Sequence, residues 1–184
     1  MLEPKIALGY ASPSSEILIP PEKLQARIIE LAAQIDADYA GRSLIMICVL
    51  KGGVMFLTDL MRHIHIPHAI DFMAVSSYGI GARESTGVVR IIMDLATDIS
   101  DKHVLVVEDI IDSGRTLGYL REVLLARNPA SLAICALLDK HERREVDVPL
   151  DYVGFEIPNE FVFGYGLDVD ELYRNLPFIG VLRE

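Results

Sequence analysis

The run HVLVVEDII, residues 103–111, constrains the fold more than any other stretch, because it is apolar on both faces up to Val107 and then abruptly acidic. A strand apolar at successive positions has to be covered on both sides, which a parallel sheet flanked by helices achieves. Glu108, Asp109 and Asp112 then place three carboxylates within five positions. Acids crowded at one strand end repel each other, so such a cluster marks a place that takes a cation or a hydroxyl-rich ligand.

The surrounding chain repeats this strand-then-helix texture, which defines an α/β class with a central, mostly parallel sheet. Pro20-Pro21 followed by EKLQARIIELAAQIDADYAG predicts a helix with Leu24, Ile28, Leu31 and Ile35 on one face and Gly41 just past its end. SLIMICVL predicts a buried strand, VMFLTDLMRHI a helix and AIDFMAVSS a further strand. Residues 77–87, SYGIGARESTG, read as a polar connection before the strand VVRIIMDL. TLGYLREVLLAR and SLAICALL supply the next helix and strand. Beyond Lys140 short strands and aromatics replace long helices, and the apolar density there predicts a small hood. The expected organisation is one domain over 1–184, with a core of about 20–140 and a hood of about 141–184 joined by N-terminal residues.

Composition narrows the function. A formal net charge of −10 argues against affinity for nucleic acid, whose phosphates are bound through accumulated Lys and Arg. The longest apolar run, Leu44–Leu50, is far short of the roughly 20 residues a membrane helix needs, and the N-terminal residues carry no signal-peptide pattern, so a cytoplasmic location with no membrane partner is expected. Cys48 and Cys135 lie in apolar strand-like runs and are expected to be buried, reduced thiols. His63, His65, His68, His103 and His141 form no metal-ligand spacing and read as surface or helix-end residues.

The acidic strand end leads into Ser113-Gly114-Arg115-Thr116. In a doubly wound sheet, ligands bind outside the carboxyl ends of the strands, and amides at a helix start wrap a phosphate. Backbone N–H groups of Ser113 through Leu117, with the Ser113 and Thr116 hydroxyls and the close approach that Gly114 allows, fit a phosphate monoester. Glu108 and Asp109 suit a vicinal diol and Mg²⁺. An ordinary helix start with Asp112 or Ser113 as N-cap accounts for Asp-Ser-Gly alone and leaves Glu108 and Asp109 unexplained.

VLVVEDIIDSGRTL resembles the 5-phosphoribosyl-1-pyrophosphate (PRPP) motif of type I phosphoribosyltransferases, with Ile110 and Ile111 as the spacer between its acids. VLKGG, SSYG and VGFEIPNEFVFGYGLD sharpen the resemblance to the hypoxanthine-guanine phosphoribosyltransferases, over a span from about Ile17 to the end. No Walker A or complete GxGxxG pattern competes with it. The resemblance implies the type I fold, transfer of a phosphoribosyl group from PRPP to hypoxanthine or guanine, Mg²⁺ as cofactor, and assembly as a homodimer or homotetramer. It makes Asp112 the acid/base at purine N7 and gives Lys51 and Gly52 to a pyrophosphate loop with a cis peptide at Leu50-Lys51. Lys140 would donate to the purine O6, Phe161 stack on the base and the Val162 backbone meet its Watson–Crick edge. Asp168 would join Glu108 and Asp109 as a metal ligand, Arg174 and, less directly, Arg144 would approach pyrophosphate, and Ser77-Tyr78 would sit on a lid. Arg115 stands where many relatives have Lys, which keeps the charge. A nucleotide-sensing regulator without catalysis, and transfer to xanthine, adenine or orotate, are the rival readings.

Overall fold

The computed structural model describes residues 15–78 and 85–182. Six strands form the larger sheet, in the order β4 (Ser85–Met93), β3 (His68–Tyr78), β2 (Leu44–Leu50), β5 (His103–Ile111), β6 (Ser131–Asp139), β7 (Tyr152–Glu156). All neighbours are parallel except β4, which closes the edge antiparallel to β3. Helices α1 (Pro21–Asp38) and α2 (Val54–His63) cover one face and α3 (Arg115–Leu125) the other.

The two faces divide the strand residues by parity, as the pleat requires. Met46 and Cys48 of β2 pack with Leu105, Val107, Cys135 and Leu137 beneath α1 and α2, whereas Ile45, Ile47 and Val49 pack with Val104, Val106 and Ile134 beneath α3. Both thiols are fully buried and free, as expected. Helix α1 buries Leu24, Ile28, Leu31 and Ile35, the stripe read from its spacing, and Gly41 follows it at φ 75°.

A second sheet, in the order β1 (Ser15–Ile19), β9 (Ile179–Leu182), β8 (Val162–Phe163), is antiparallel and gathers the expected hood with its N-terminal strand. Ile19, Val162, Tyr165, Leu167, Ile179 and Val181 belong to the same buried cluster as α1 and α2, so the small sheet rests on the large one through continuous apolar packing. Phe163, Leu176 and Phe178 add a small cluster of their own.

Two details differ from expectation, and a third expectation falls outside the described residues. Residues 77–87 are not all connection, because β3 runs to Tyr78 and β4 starts at Ser85, paired with it across the ladder. The proposed lid tip, residues 79–84, lies outside the described residues, as do the side chains of Ser77 and Tyr78. His103 is a strand-start residue whose ring bonds Ser131 Oγ at 2.8 Å and meets Tyr39 edge-on, rather than a surface residue. No helix among the described residues is long and apolar enough to cross a membrane.

Candidate active site

The carboxyl ends of β2, β5 and β6 converge, and the loops that leave them carry the chemistry. β5 ends in Glu108 and Asp109. Glu108 is 9% exposed, and its Oε2 is buried without a hydrogen-bond partner. Burial, reinforced by the neighbouring Asp109 charge, pushes the Glu108 carboxyl well above its ordinary value. Burial also raises Asp109, opposed by bonds from Glu108 and the Ile110 amide and by the charge of Arg174. Two acids held at such cost without a cation are a poor structural device and a good half-site for a divalent ion.

The turn between β5 and α3 follows. Gly114 has φ 81°, a left-handed conformation that favours glycine, and a Cβ there would meet the Val146 carbonyl oxygen at 2.5 Å and Arg144 Cδ at 2.9 Å. The turn is fastened from below, since the Ser113 carbonyl accepts bonds from the amides of Glu145 and Val146 at 2.9 and 3.0 Å. The N-cap of α3 is Gly114, which has no side chain to cap with; Ser113 Oγ accepts only a long 3.4 Å bond from the Arg115 amide. A cavity of about 170 Å³ opens over this turn, lined by Glu108, Ile110, Ile111, Asp112, Ser113, Gly114, Thr116 and Leu117. Arg115 points elsewhere, to Glu145 at 2.5 Å.

A second cavity of about 440 Å³ shares Ile110 and Asp112 with the first and is walled by Lys140, Arg143, Phe161, Val162 and Asp168. Lys140 is 6% exposed, and its Nζ lies 4.0 Å from Asp112 Oδ2. Burial holds this ammonium below its ordinary value; Asp112 opposes the effect and Arg143 adds to it. Phe161 is 55% exposed at the rim of this cavity. The Phe161 carbonyl is tied to the Leu182 amide, which fixes the strand behind the ring.

The Lys51-Gly52 loop closes the third side. The Leu50-Lys51 peptide is cis, as the resemblance implied. Gly52 sits so close to Asp109 that a Cβ would overlap its carboxylate, which ties the loop position to the acidic pair. Lys51 Nζ is paired with Glu171 at 2.8 Å, and Arg174 bridges Asp168 at 2.7 Å and the Gly166 carbonyl at 2.7 Å. Glu171 lies below its ordinary value chiefly through the Lys51 bond.

Arg144 does not face this space. Its guanidinium is buried against Asp139 and the Val148 carbonyl, beneath the β5–α3 turn. Its neighbour Arg143 is the one that reaches the cavity, with Nε 3.3 Å from Asp112 Oδ1. The short 3₁₀ turn His141–Arg143 swings successive arginines to opposite sides, and local sequence gives no sign of which is which. Sequence reasoning also missed Glu171, whose only signal is its place three residues after Asp168. Among the described residues no group of three or more His, Cys, Asp or Glu is arranged to hold a metal, and Asp168 is engaged by Arg174.

Taken together, these observations define an α/β protein of the mostly parallel-sheet class, with two cavities that share Ile110 and Asp112 at the strand ends. Comparisons with known proteins give that class its family. The model of the phosphoribosyl transferase domain matches residues 15–170. The hypoxanthine phosphoribosyltransferase of Salmonella typhimurium is 52% identical over 167 residues, 90% of this chain and 93% of that protein. The hypoxanthine-guanine phosphoribosyltransferase of Mycobacterium tuberculosis is 51% identical over 179 residues, 94% of this chain and 88% of that protein. A crystal structure of a hypoxanthine-guanine phosphoribosyltransferase from Bacillus anthracis superposes with a TM-score of 0.86 at 49% identity, covering 91% of this chain and 98% of that one. The chain belongs to the phosphoribosyltransferase family.

Proposed function

We propose that this chain is a purine-salvage enzyme that transfers the 5-phosphoribosyl group of PRPP to hypoxanthine or guanine, releasing pyrophosphate. The observation that carries the reading is the buried Lys140 ammonium 4.0 Å from Asp112, in a cavity that shares Asp112 with the β5–α3 turn. An ammonium only donates, so it favours a 6-oxo purine and meets the 6-amino group of adenine donor to donor. Relatives named for hypoxanthine alone and for hypoxanthine and guanine match about equally well, at 52% and 51% identity, so the choice between these two bases is left to assay.

Bond breaking at the anomeric carbon builds positive charge on the ribose, and the purine N9 takes the carbon while its N7 proton has to be held. Asp112 is the group to take that proton, with Arg143 and Lys140 beside it. The amides of Ser113 through Leu117 and the Ser113 and Thr116 hydroxyls grip the 5-phosphate. Phe161 stacks on the base, and the Val162 backbone meets its Watson–Crick edge. Lys51 and Gly52 contribute backbone groups to pyrophosphate, and Arg174 its guanidinium, once Asp168 and Glu171 release it. Ser77 and Tyr78 belong to the lid over this site.

Glu108 and Asp109 fit Mg²⁺: the pair is at least partly buried, one oxygen is orphaned, and two carboxylates match an ion that takes its remaining ligands from water and substrate. Held by Glu108 and Asp109, Mg²⁺ would supply neutralisation of charge on the departing pyrophosphate. Asp168 is the residue to approach a second ion through pyrophosphate. We assign residues 1–184 to one domain, a cytoplasmic location, and assembly as a dimer or tetramer, without nucleic-acid or membrane partners. Incubation with PRPP, Mg²⁺ and each of hypoxanthine, guanine, xanthine, adenine and orotate tests the reading. IMP or GMP with stoichiometric pyrophosphate is expected; nucleotide from adenine or orotate alone, or from none of the bases, overturns it.

A further inference from the structure

We propose that Tyr165 and Asp59 form a positioning pair that sets the pyrophosphate half of the site, an inference that rests on the phosphoribosyl-transfer reading. Tyr165 is 6% exposed and its hydroxyl donates to Asp59 Oδ2 at 2.5 Å; Gln25 Nε2 donates to the same oxygen at 2.8 Å. The acid lies on α2, the phenol in the turn after β8 and the amide on α1, so three elements meet at one carboxylate oxygen. Arg62 stands 3.7 Å from the other oxygen. Burial and the Asp59 carboxylate push the phenol above its ordinary range, which keeps it a donor.

The location of the pair gives it its role. Helix α2 begins right after the Lys51-Gly52-Gly53 loop, and Asp59 lies seven residues beyond Gly52, about two helical turns. The same rigid helix therefore carries the pyrophosphate loop at one end and the acceptor for Tyr165 further along. On the other side, Gly164, Tyr165 and Gly166 have φ of 90°, 51° and 100°, a left-handed run that turns the chain sharply after β8. Gly166 then presses against the Gly52 carbonyl oxygen so closely that a Cβ at 166 would overlap it. The Gly166 amide donates to the Arg174 carbonyl at 2.8 Å, and the Gly166 carbonyl accepts from the Arg174 guanidinium. Loop, turn and arginine thus form one contact chain, in which Gly166 meets Gly52 only by packing. The Tyr165–Asp59 bond is the polar tie that holds the turn to α2, and hence Arg174 in register with the Lys51-Gly52 backbone. Of the groups that wall the base cavity, Lys140, Asp112 and Arg143 stand on other elements, and Phe161 and Val162 are held by pairing with β9; only Leu167, Asp168 and Asp170 follow the turn.

Tyr165→Phe removes only the hydroxyl. Steady-state kinetics with PRPP and hypoxanthine varied in turn, and inhibition by pyrophosphate, separate positioning from support of the fold. A lost hydrogen bond to a charged group predicts a rise of about tenfold in the KM for PRPP and in the pyrophosphate inhibition constant, with the hypoxanthine KM and kcat within about twofold. Asp59→Asn keeps an oxygen to accept the phenol and is expected to raise the PRPP KM only about threefold, whereas Asp59→Leu matches or exceeds Tyr165→Phe. An unchanged PRPP KM in Tyr165→Phe, or a fall in all parameters together with a loss of folded protein in both Tyr165→Phe and Asp59→Asn, overturns the inference. Absence of phosphoribosyl transfer in the unaltered protein instead overturns the reading of function on which it rests.

Discussion

Two regions supply the site, and they are built on opposite plans. The β5–α3 junction holds its chemistry in nine consecutive residues, Glu108 to Thr116, at the end of a strand buried on both faces. The segment from Phe161 to Arg174 spreads its contributions over a two-residue strand, two left-handed turns and a set of ion pairs. In the first region the strand–turn–helix geometry fixes where each group points. In the second, local ion pairs such as Arg174–Asp168 combine with distant partners, Lys51 for Glu171 and Asp59 for Tyr165. A site of this kind has one half that tolerates little chemical change and another that is sensitive to the scaffold around it.

Replacing Asp112 by Asn is expected to have the largest effect on turnover. It retains shape but loses the proton acceptor, so kcat falls by about 10²–10⁴-fold while PRPP still protects the protein against thermal unfolding. A kcat within threefold of the unaltered enzyme would remove Asp112 from the chemistry and make the contiguous half a binding device only.

Arg144→Ala tests what lies beneath the junction. It leaves Asp139 buried and unpaired, and costs about 3–5 kcal/mol of stability by denaturant unfolding. Arg143→Ala, one residue away, breaks a half-exposed pair and leaves stability within about 1 kcal/mol. Equal losses in the two variants would mean that the 3₁₀ turn does not divide their roles.

Glu108→Gln relieves a buried repulsion. Because the folded Glu108 binds its proton more tightly than the unfolded chain does, the ligand-free protein loses stability as pH rises past the ordinary glutamate value of 4.5. The Gln variant flattens that slope, raises the Tm of the ligand-free protein at pH 7 by about 2–6 °C and no longer gains stability from Mg²⁺ with PRPP. A lower Tm would show that the charge is compensated inside the protein.

The smallest effect belongs to the assembled half. Glu171→Gln breaks an exposed ion pair with Lys51, so the denaturant midpoint is expected to stay where it is. Freed from Glu171, Lys51 and Arg174 bind pyrophosphate at least as tightly as before, as read from product inhibition. Weaker inhibition would mean that Glu171 holds the loop in its working position.

The same contrast governs what the sequence disclosed. β2, β5 and β6 are legible because burial on both faces leaves continuous apolar runs, and the acids that interrupt β5 stand out against that background. The roles of Glu108, Asp112 and the Gly114 turn follow from their contiguity. Arg143 and Arg144 were not separable, because a 3₁₀ turn and the buried Asp139, not local pattern, decide which guanidinium faces the cavity. The positive φ angles of Tyr165, Glu171 and Tyr173 are equally illegible, since these residue types carry no left-handed preference. Nothing in the local sequence marks the bond from the Tyr165 hydroxyl to Asp59 on α2.

A crystal structure of the protein with PRPP and Mg²⁺ tests the central claim most directly. The account predicts the 5-phosphate on the amides of Ser113 through Leu117 and the ribose hydroxyls and metal at Glu108 and Asp109. The sugar phosphate lodged elsewhere, with those two acids turned away from it, would contradict it.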